Sequence, residues 1–277
     1  MSAPAFRTVL APNPSPMTLD GSRTFIVGRS RPAVIDPGPN LPGHVAVILA
    51  ALGDAKPVAI LLTHAHPDHS EAAPALREAT GAPVMMARGA LWMPFGQDVV
   101  DRWLADGDAV DTDAGPVEAL ATPGHVPEHL AFLWRGPEAA AGGALFAGDL
   151  FMGAGDTTLV APPEGDLAAY LRSLDAVERA APAVLLPSHG PEIADAAAAV
   201  ARYRAHRMDR IAQVRAALAK TGPARPGELL DAVYGDALHP ALRPAAEGSL
   251  LAILEYLRSI GEARELPGRA FTLAGSR

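Results

Sequence analysis

The chain predicts an α/β fold with its chemistry at strand ends, and three observations predict it. Short apolar runs at residues 58–62, 117–121, 144–147 and 183–186 read as buried strands, and each is followed by turn residues and a histidine or an aspartate. Stretches of helical character alternate with them at residues 70–79 and 166–180; in the second, Leu167, Tyr170, Leu171, Leu174 and Val177 share one face. Past Ala194 the chain turns mainly helical until two short extended pieces close it.

Size and composition set the outer limits. The 277 residues are 49% hydrophobic and 19% charged, enough for a packed main domain and a smaller one. There is no cysteine, which excludes disulfides, thiolate metal sites and a cysteine nucleophile, so any metal must be held by nitrogen and oxygen. Residues 1–7 do not combine a charged start with an apolar core. No apolar stretch is long enough, and free enough of Pro, Gly or charge, to span a bilayer. The expectation is a soluble cytoplasmic protein with no membrane partner. The net charge of −8 weighs mildly against a dedicated nucleic-acid binder, though it says little about local patches.

The strand at 58–62 delivers the densest cluster, Thr63-His64-Ala65-His66-Pro67-Asp68-His69. On an extended backbone His64 and His66 point the same way, because side chains alternate with period two. Pro67 then redirects the chain, so Asp68 and His69 can face a second point in space. One cluster can therefore serve two adjacent metal ions. The later strands each offer one more donor: Thr122-Pro123-Gly124 presents His125, Gly148 precedes Asp149, and Pro187-Ser188 precede His189. Singly, each would read as structure, an aspartate as a helix cap or a histidine as a loop residue. Their joint order behind the first cluster carries the weight. Of the remaining histidines, His129 opens the apolar run 130–133 and reads as a core residue or a support behind the ligands, His44 as a surface residue at a helix start, and His206 and His239 as structural. Asp36 braces the turn after its strand, with support of a metal-binding histidine as the sharper alternative.

This order of donors resembles the metallo-β-lactamase superfamily, over residues up to about 200. The segment 13–21 followed by 24–28 is similar to that family's opening hairpin, and Val34-Ile35-Asp36-Pro37-Gly38 to its next strand and turn. The resemblance implies two β-sheets sandwiched between helices, an αββα arrangement with metals at one edge. It also implies roles. His64, His66 and His125 would hold one ion, Asp68, His69 and His189 a second, with Asp149 bridging. Zinc suits this set, at roughly 2.0–2.2 Å from imidazole and carboxylate; manganese or iron would also fit. Two such ions lower the pKa of a bridging water towards about 7, and the resulting hydroxide would be the nucleophile. Asp68 would orient that water or accept its proton, the catalytic role assigned to it. No Gly-x-Ser-x-Gly elbow competes with this reading.

The tail refines the resemblance. Residues 195–220 hold strong helix formers with no Gly or Pro, with Asp195 as N-cap. Short helices are expected at 226–234 and 238–243, a longer amphipathic one at 245–260, and extended pieces at 263–266 and 270–273 joined at Pro267-Gly268. The expected division is a metal-hydrolase domain at residues 1–204 and a small winged-helix-like domain at 205–277. The segments 206–211 and 228–235 resemble the C-terminal part of the β-lactamase-like protein 2 group, which includes a single-stranded-RNA endoribonuclease and acyl-carrier thioesterases. The expected function is thus a metal-dependent hydrolase of either an RNA phosphodiester or a small acyl thioester or ester. Arg204, Arg207 and Arg210 recur at helical spacing and could track a phosphate backbone, or form a solvated face. From another class stands a non-catalytic nucleic-acid-binding regulator using the tail as reader. The oligomeric state is not legible.

Overall fold

In the computed structural model, which describes residues 5–235 and 238–275, the apolar runs become two facing sheets. The first part of the chain builds β1 (Phe6–Leu10), β2 (Arg23–Val27), β3 (Ala33–Ile35), α1 (His44–Leu52), β4 (Ala59–Leu61), the single turn α2 (Pro67–Ser70), α3 (Ala73–Thr80), β5 (Val84–Ala87) and β6 (Val100–Leu104). These strands form a six-stranded sheet in sequence order. β1 to β3 pair antiparallel, whereas β3 to β6 run parallel, as the longer crossovers between them allow. Next come β7 (Ala109–Thr112), β8 (Gly115–Ala121), β9 (Leu130–Trp134), β10 (Ala144–Gly148), α4 (Leu167–Ala180) and β11 (Val184–Pro187). They give a second sheet ordered β11-β10-β9-β8-β7, antiparallel except where α4 carries the chain back to set β11 parallel to β10.

Side-chain alternation sorts the strand residues into layers. Phe25 and Ile35 from the first sheet meet Phe132, Trp134 and Phe146 from the second, all at most 2% exposed. Their neighbours Ile26 and Val34 point the other way, onto Ile48, Leu52 and Leu76 of α1 and α3. On the far side, Leu133, Leu145 and Leu185 lie under Tyr170 and Leu174 of α4. Both faces of both sheets are apolar and both are covered, which gives a helix–sheet–sheet–helix sandwich.

The tail adds α5 (Ala196–Thr221), a 3-10 turn at Pro226–Leu229, α6 (Leu230–Tyr234), α7 (Arg243–Ser259) and the hairpin β12 (Ala263–Leu266) with β13 (Ala270–Leu273). Asp195 caps α5 by accepting from the Ala198 amide at 2.9 Å. The segment expected as one helix at 226–234 divides into the 3-10 turn and α6, and that at 238–243 contracts to a 3-10 turn at Pro240–Leu242. The helix expected at 70–79 is two pieces. α2 stops at Ser70 and α3 starts afresh at Ala73, with Pro74 in its first turn, where a missing N–H leaves no bond unmade. Tyr203 and Val214 of α5, Leu250 and Leu257 of α7, and Phe271 of β13 belong to the same buried cluster as Leu145 and Leu185. The tail thus shares the core of the outer helical layer. Among the described residues, no helix is long and apolar enough to cross a membrane.

Candidate metal centre

β4 runs parallel to β3, and β11 parallel to β10, and the C-terminal ends of β4, β8, β10 and β11 deliver donors that meet in space. After β4 the chain bends at Thr63 and is extended again at His66 (φ −57°, ψ 143°), then Pro67 starts the turn α2. That switch separates the cluster into two directions. His64, His66, His125 and Asp149 place donor atoms within 4.8 Å of one another, and so do Asp68, His69 and His189. Asp149 stands between the groups. Its Oδ1 lies 3.3 Å from His69 Nε2 and 3.2 Å from His189 Nε2, and its Oδ2 lies 3.5 Å from His125 Nε2. All seven donors expected from the sequence are therefore brought together.

Hydrogen bonds behind the rings set which nitrogen faces inward. The Thr63 hydroxyl donates to Asp36 Oδ2 at 2.8 Å, so its oxygen accepts from His64 Nδ1 at 2.9 Å and leaves His64 Nε2 as a lone pair. His69 Nδ1 donates to Asp36 at 2.9 Å, His125 Nδ1 to the Leu159 carbonyl at 2.7 Å, and His189 Nδ1 to the Gly21 carbonyl at 3.2 Å. His66 instead turns Nε2 to Glu164 at 3.3 Å and Nδ1 inward. With these tautomers, the lone pairs of His64 Nε2 and His125 Nε2 both crowd His66 Nδ1, at 3.0 and 3.1 Å. Lone pairs at that separation repel unless a cation lies among them. His69 Nε2 and Asp149 Oδ1 are buried without a hydrogen-bond partner. The donor set thus fits divalent metal, held by nitrogen and oxygen alone.

At His64, His69, His125, His129 and His189 burial acts first and disfavours the charged form. It prevails at His64 and His125, held below their ordinary value, and at His129, pulled down to about 3. At His69 and His189 it is outweighed by carboxylates. Asp68, Asp149 and Asp36 lift His69 well above its ordinary value, and Asp149 and Asp68 lift His189 to about 9. The same pairs, against the opposing effect of burial, hold Asp68 down to about 2 and Asp149 well below the usual carboxylate range.

A family model described as the metallo-beta-lactamase superfamily matches residues 18–189. The chain belongs to that superfamily. Among its relatives, an atrochrysone carboxyl ACP thioesterase of Aspergillus chevalieri is 31% identical over 261 residues, 88% of this chain and 79% of the relative. A beta-lactamase-like protein 2 homolog of Caenorhabditis elegans is 27% identical, covering 91% of this chain and 84% of the relative. Among solved structures, a beta-lactamase domain protein from Burkholderia ambifaria is 25% identical and superposes with a TM-score of 0.81, over 98% of this chain and 93% of that one. TTHA1623, solved in a di-iron-bound form, is 29% identical with a TM-score of 0.52, over 68% and 94%. With relatives named as thioesterases and lactamase-like proteins, this metallo-beta-lactamase superfamily member is a hydrolase.

The same superfamily site includes residues whose roles were only partly legible. Asp36 takes the sharper of its two readings: its carboxylate accepts from the Thr63 amide and hydroxyl as well as from His69, and it does so from a left-handed backbone (φ 49°). His129 is the expected support. It is buried, and its Nε2 accepts from the Asp149 amide at 3.1 Å. His44 corrects the surface expectation. It is 2% exposed, with Nε2 3.1 Å from the Pro37 carbonyl, and it props the turn after Asp36. Glu128, Glu164 and Ser22 join the site only in the fold. Glu128 is buried and accepts from the Ala65 amide between His64 and His66, and Ser22 donates to Asp68 at 3.2 Å. Their partners are distant in sequence, so no local spacing signals them. Beside the metal edge opens a cavity of about 320 Å³, with His125 and Asp149 at one end and Leu159, Met152, Tyr234 and Ile253 among its walls.

Proposed function

We propose that this protein is a dinuclear metal hydrolase of small acyl thioesters. The observation that carries the reading is the convergence of two donor sets on Asp149 at the mouth of a mainly apolar cavity of about 320 Å³. That volume is at the small end for ligand pockets, about 300–1,000 Å³, and suits an acyl group better than a polymer strand. His64, His66 and His125 would hold one ion, Asp68, His69 and His189 the other, and Asp149 would bridge. Zinc is proposed, with iron and manganese as alternatives compatible with the same atoms. When bound, divalent ions supply an acidified water and a Lewis acid for the carbonyl. Around them the chain's own groups act. Asp68, ionised at neutral pH and the most open of its trio, accepts the attacking water's proton and returns it to the departing sulfur, so that thioester and water become acid and thiol. Asp36 and Thr63 keep His64 and His69 in the tautomers that leave Nε2 available.

The tail from residue 205, winged-helix-like in its order of helices and hairpin, is proposed as the wall of the acyl pocket; the proposed division at 204 and 205 lies within α5. Its basic stripe supports this use over an RNA track. Arg204 pairs with Asp175 and Glu178, Arg202 with Asp156, and Arg215 with Glu262, while Arg207 is buried. Few of these cations remain to meet phosphates. The relative named as an acyl-carrier thioesterase supports the same substrate class.

The test is thiol release from acyl-N-acetylcysteamine thioesters by the full chain loaded with Zn2+, Mn2+ or Fe2+ in turn, beside end-labelled single-stranded RNA. Release that needs metal and is lost on chelation is expected. Cleavage of RNA with no thiol release would overturn the thioesterase reading.

A further inference from the structure

The cavity beside the metal edge carries more charge than a simple acyl slot needs. Arg207, 5% exposed, lays its guanidinium 4.7 Å from the Tyr170 ring centroid and donates to the Thr158 carbonyl, yet its Nε is buried with no hydrogen-bond partner. Arg210, one turn on, stacks 4.4 Å over the Tyr234 ring and donates through one nitrogen to Gln213 and the Val233 carbonyl at 2.8 Å. Both line the cavity. Neither pairs with a carboxylate among the described residues, whereas Arg202, Arg204 and Arg215 on the same helix all do. The acidic group that lines this cavity is Asp149, at the metal end, where bound ions would neutralise it. A buried guanidinium without a counter-ion is unfavourable unless an anion arrives to complete it. The remaining walls, such as Met17, Leu19, Leu242 and Ile253, offer an acyl chain apolar contact but nothing ionic.

We propose that Arg207 and Arg210 form an anion-binding wall of the acyl pocket, so that the preferred substrate is a thioester whose acyl chain carries a carboxylate. This rests on the thioesterase reading and deepens it. The aromatic rings of Tyr170 and Tyr234 hold the two cations in place, which lowers the ordering cost of binding. His206, on the same wall, is held below its ordinary value by burial and by both guanidinium groups, in keeping with positive potential there.

Binding of non-hydrolysable amide isosteres, with nitrogen in place of the thioester sulfur, tests this on the metal-loaded full chain by calorimetry. An adipoyl isostere ending in carboxylate is expected to bind at least tenfold more tightly than the hexanoyl isostere ending in methyl, with the gap narrowing as salt rises. Arg210→Met should shrink that preference below threefold while metal content and hexanoyl-isostere affinity stay as in the parent. Arg207→Lys, which keeps charge but not the planar fork, should retain part of it. Equal binding of the two isosteres would overturn the proposal, and so would a preference that survives in Arg210→Met, since the metals would then be taking the carboxylate. A hexanoyl isostere built on phosphopantetheine that binds as tightly as the adipoyl one, and loses that affinity in Arg210→Met, would also overturn it by assigning the anion to the carrier arm. Because binding is read without turnover, absence of thioesterase activity would remove the proposed reaction and leave this measurement standing.

Discussion

Asp36 reaches three groups that the metal edge needs: the Thr63 amide, the Thr63 hydroxyl and His69 Nδ1. Replacing it with Asn keeps the shape but turns one acceptor oxygen into a donor. Outer partners of this kind are worth about 10–100-fold in metal affinity. Asp36→Asn is expected to lose metal to a chelator within that range, with stability less affected than metal content. The ion pairs of the metal-free centre give a second expectation. His189 moves from 6.5 up to about 9 on folding, so its contribution to stability is full below pH 6.5 and is lost as pH rises through about 9. Seen from its partner Asp68, depressed from 3.8 to about 2, the same pairing is full above pH 3.8 and fades as pH falls towards 2. His129, held down to about 3, and the lowered His64 and His125 oppose this on the acid side, because the unfolded chain takes up protons at these rings below pH 6.5 and the folded chain does not. The metal-free chain should therefore melt highest near pH 6.5 and lose stability by pH 9, whereas the metal-loaded chain should not show that alkaline loss. Metal binding near pH 7 must expel protons from His69 and His189, so calorimetry in buffers of different ionisation enthalpy should show net proton release. No release at pH 7 would mean that these rings are already neutral.

At the scale of elements, the helix caps and strand ends do separate jobs. Asp195 caps α5 through the Ala198 amide, and nothing else in the site depends on it. Asp195→Ala is expected to cost about 1 kcal/mol, within the 0.5–2 kcal/mol seen for such caps, read as a lower denaturation midpoint with unchanged metal content. The turn α2 illustrates how element boundaries escape local pattern. The run from Ser70 to Ala79 has helical composition, but Pro74 lets a second helix start at Ala73, and His69, in the single turn before the break, lies 3.3 Å from Asp149. The strands that bear ligands were legible because each is a short apolar run ending in a turn and a donor. β6 and β7 were not, since Arg102, Asp101 and Asp111 interrupt their apolar pattern.

For the whole molecule, the shared core decides how the tail behaves. Leu250, Leu254, Leu257 and Phe271 are fully buried in the cluster that also covers Leu145 and Leu185 of the second sheet. Each such side chain contributes about 1.5–3 kcal/mol by leaving water. A chain ended after residue 204 is expected to bind a hydrophobic dye and to melt broadly, while the whole chain melts in one transition. A fragment with a sharp melt of its own would show that the tail is dispensable for folding.

Sequence alone determined the donor set of this protein. Residue type and strand-end position are local properties, so His64, His66, Asp68, His69, His125, Asp149 and His189 could be named without coordinates, and so could the helices of the tail. Tertiary structure decided what surrounds them. That Asp36 supports His69, that His44 lies buried, that Glu128 anchors Ala65 and that Arg207 faces a cavity without a counter-ion all depend on contacts between residues far apart in the chain. Spacing within a segment carries no record of such contacts; the packing of two sheets and the helices that cover them creates them.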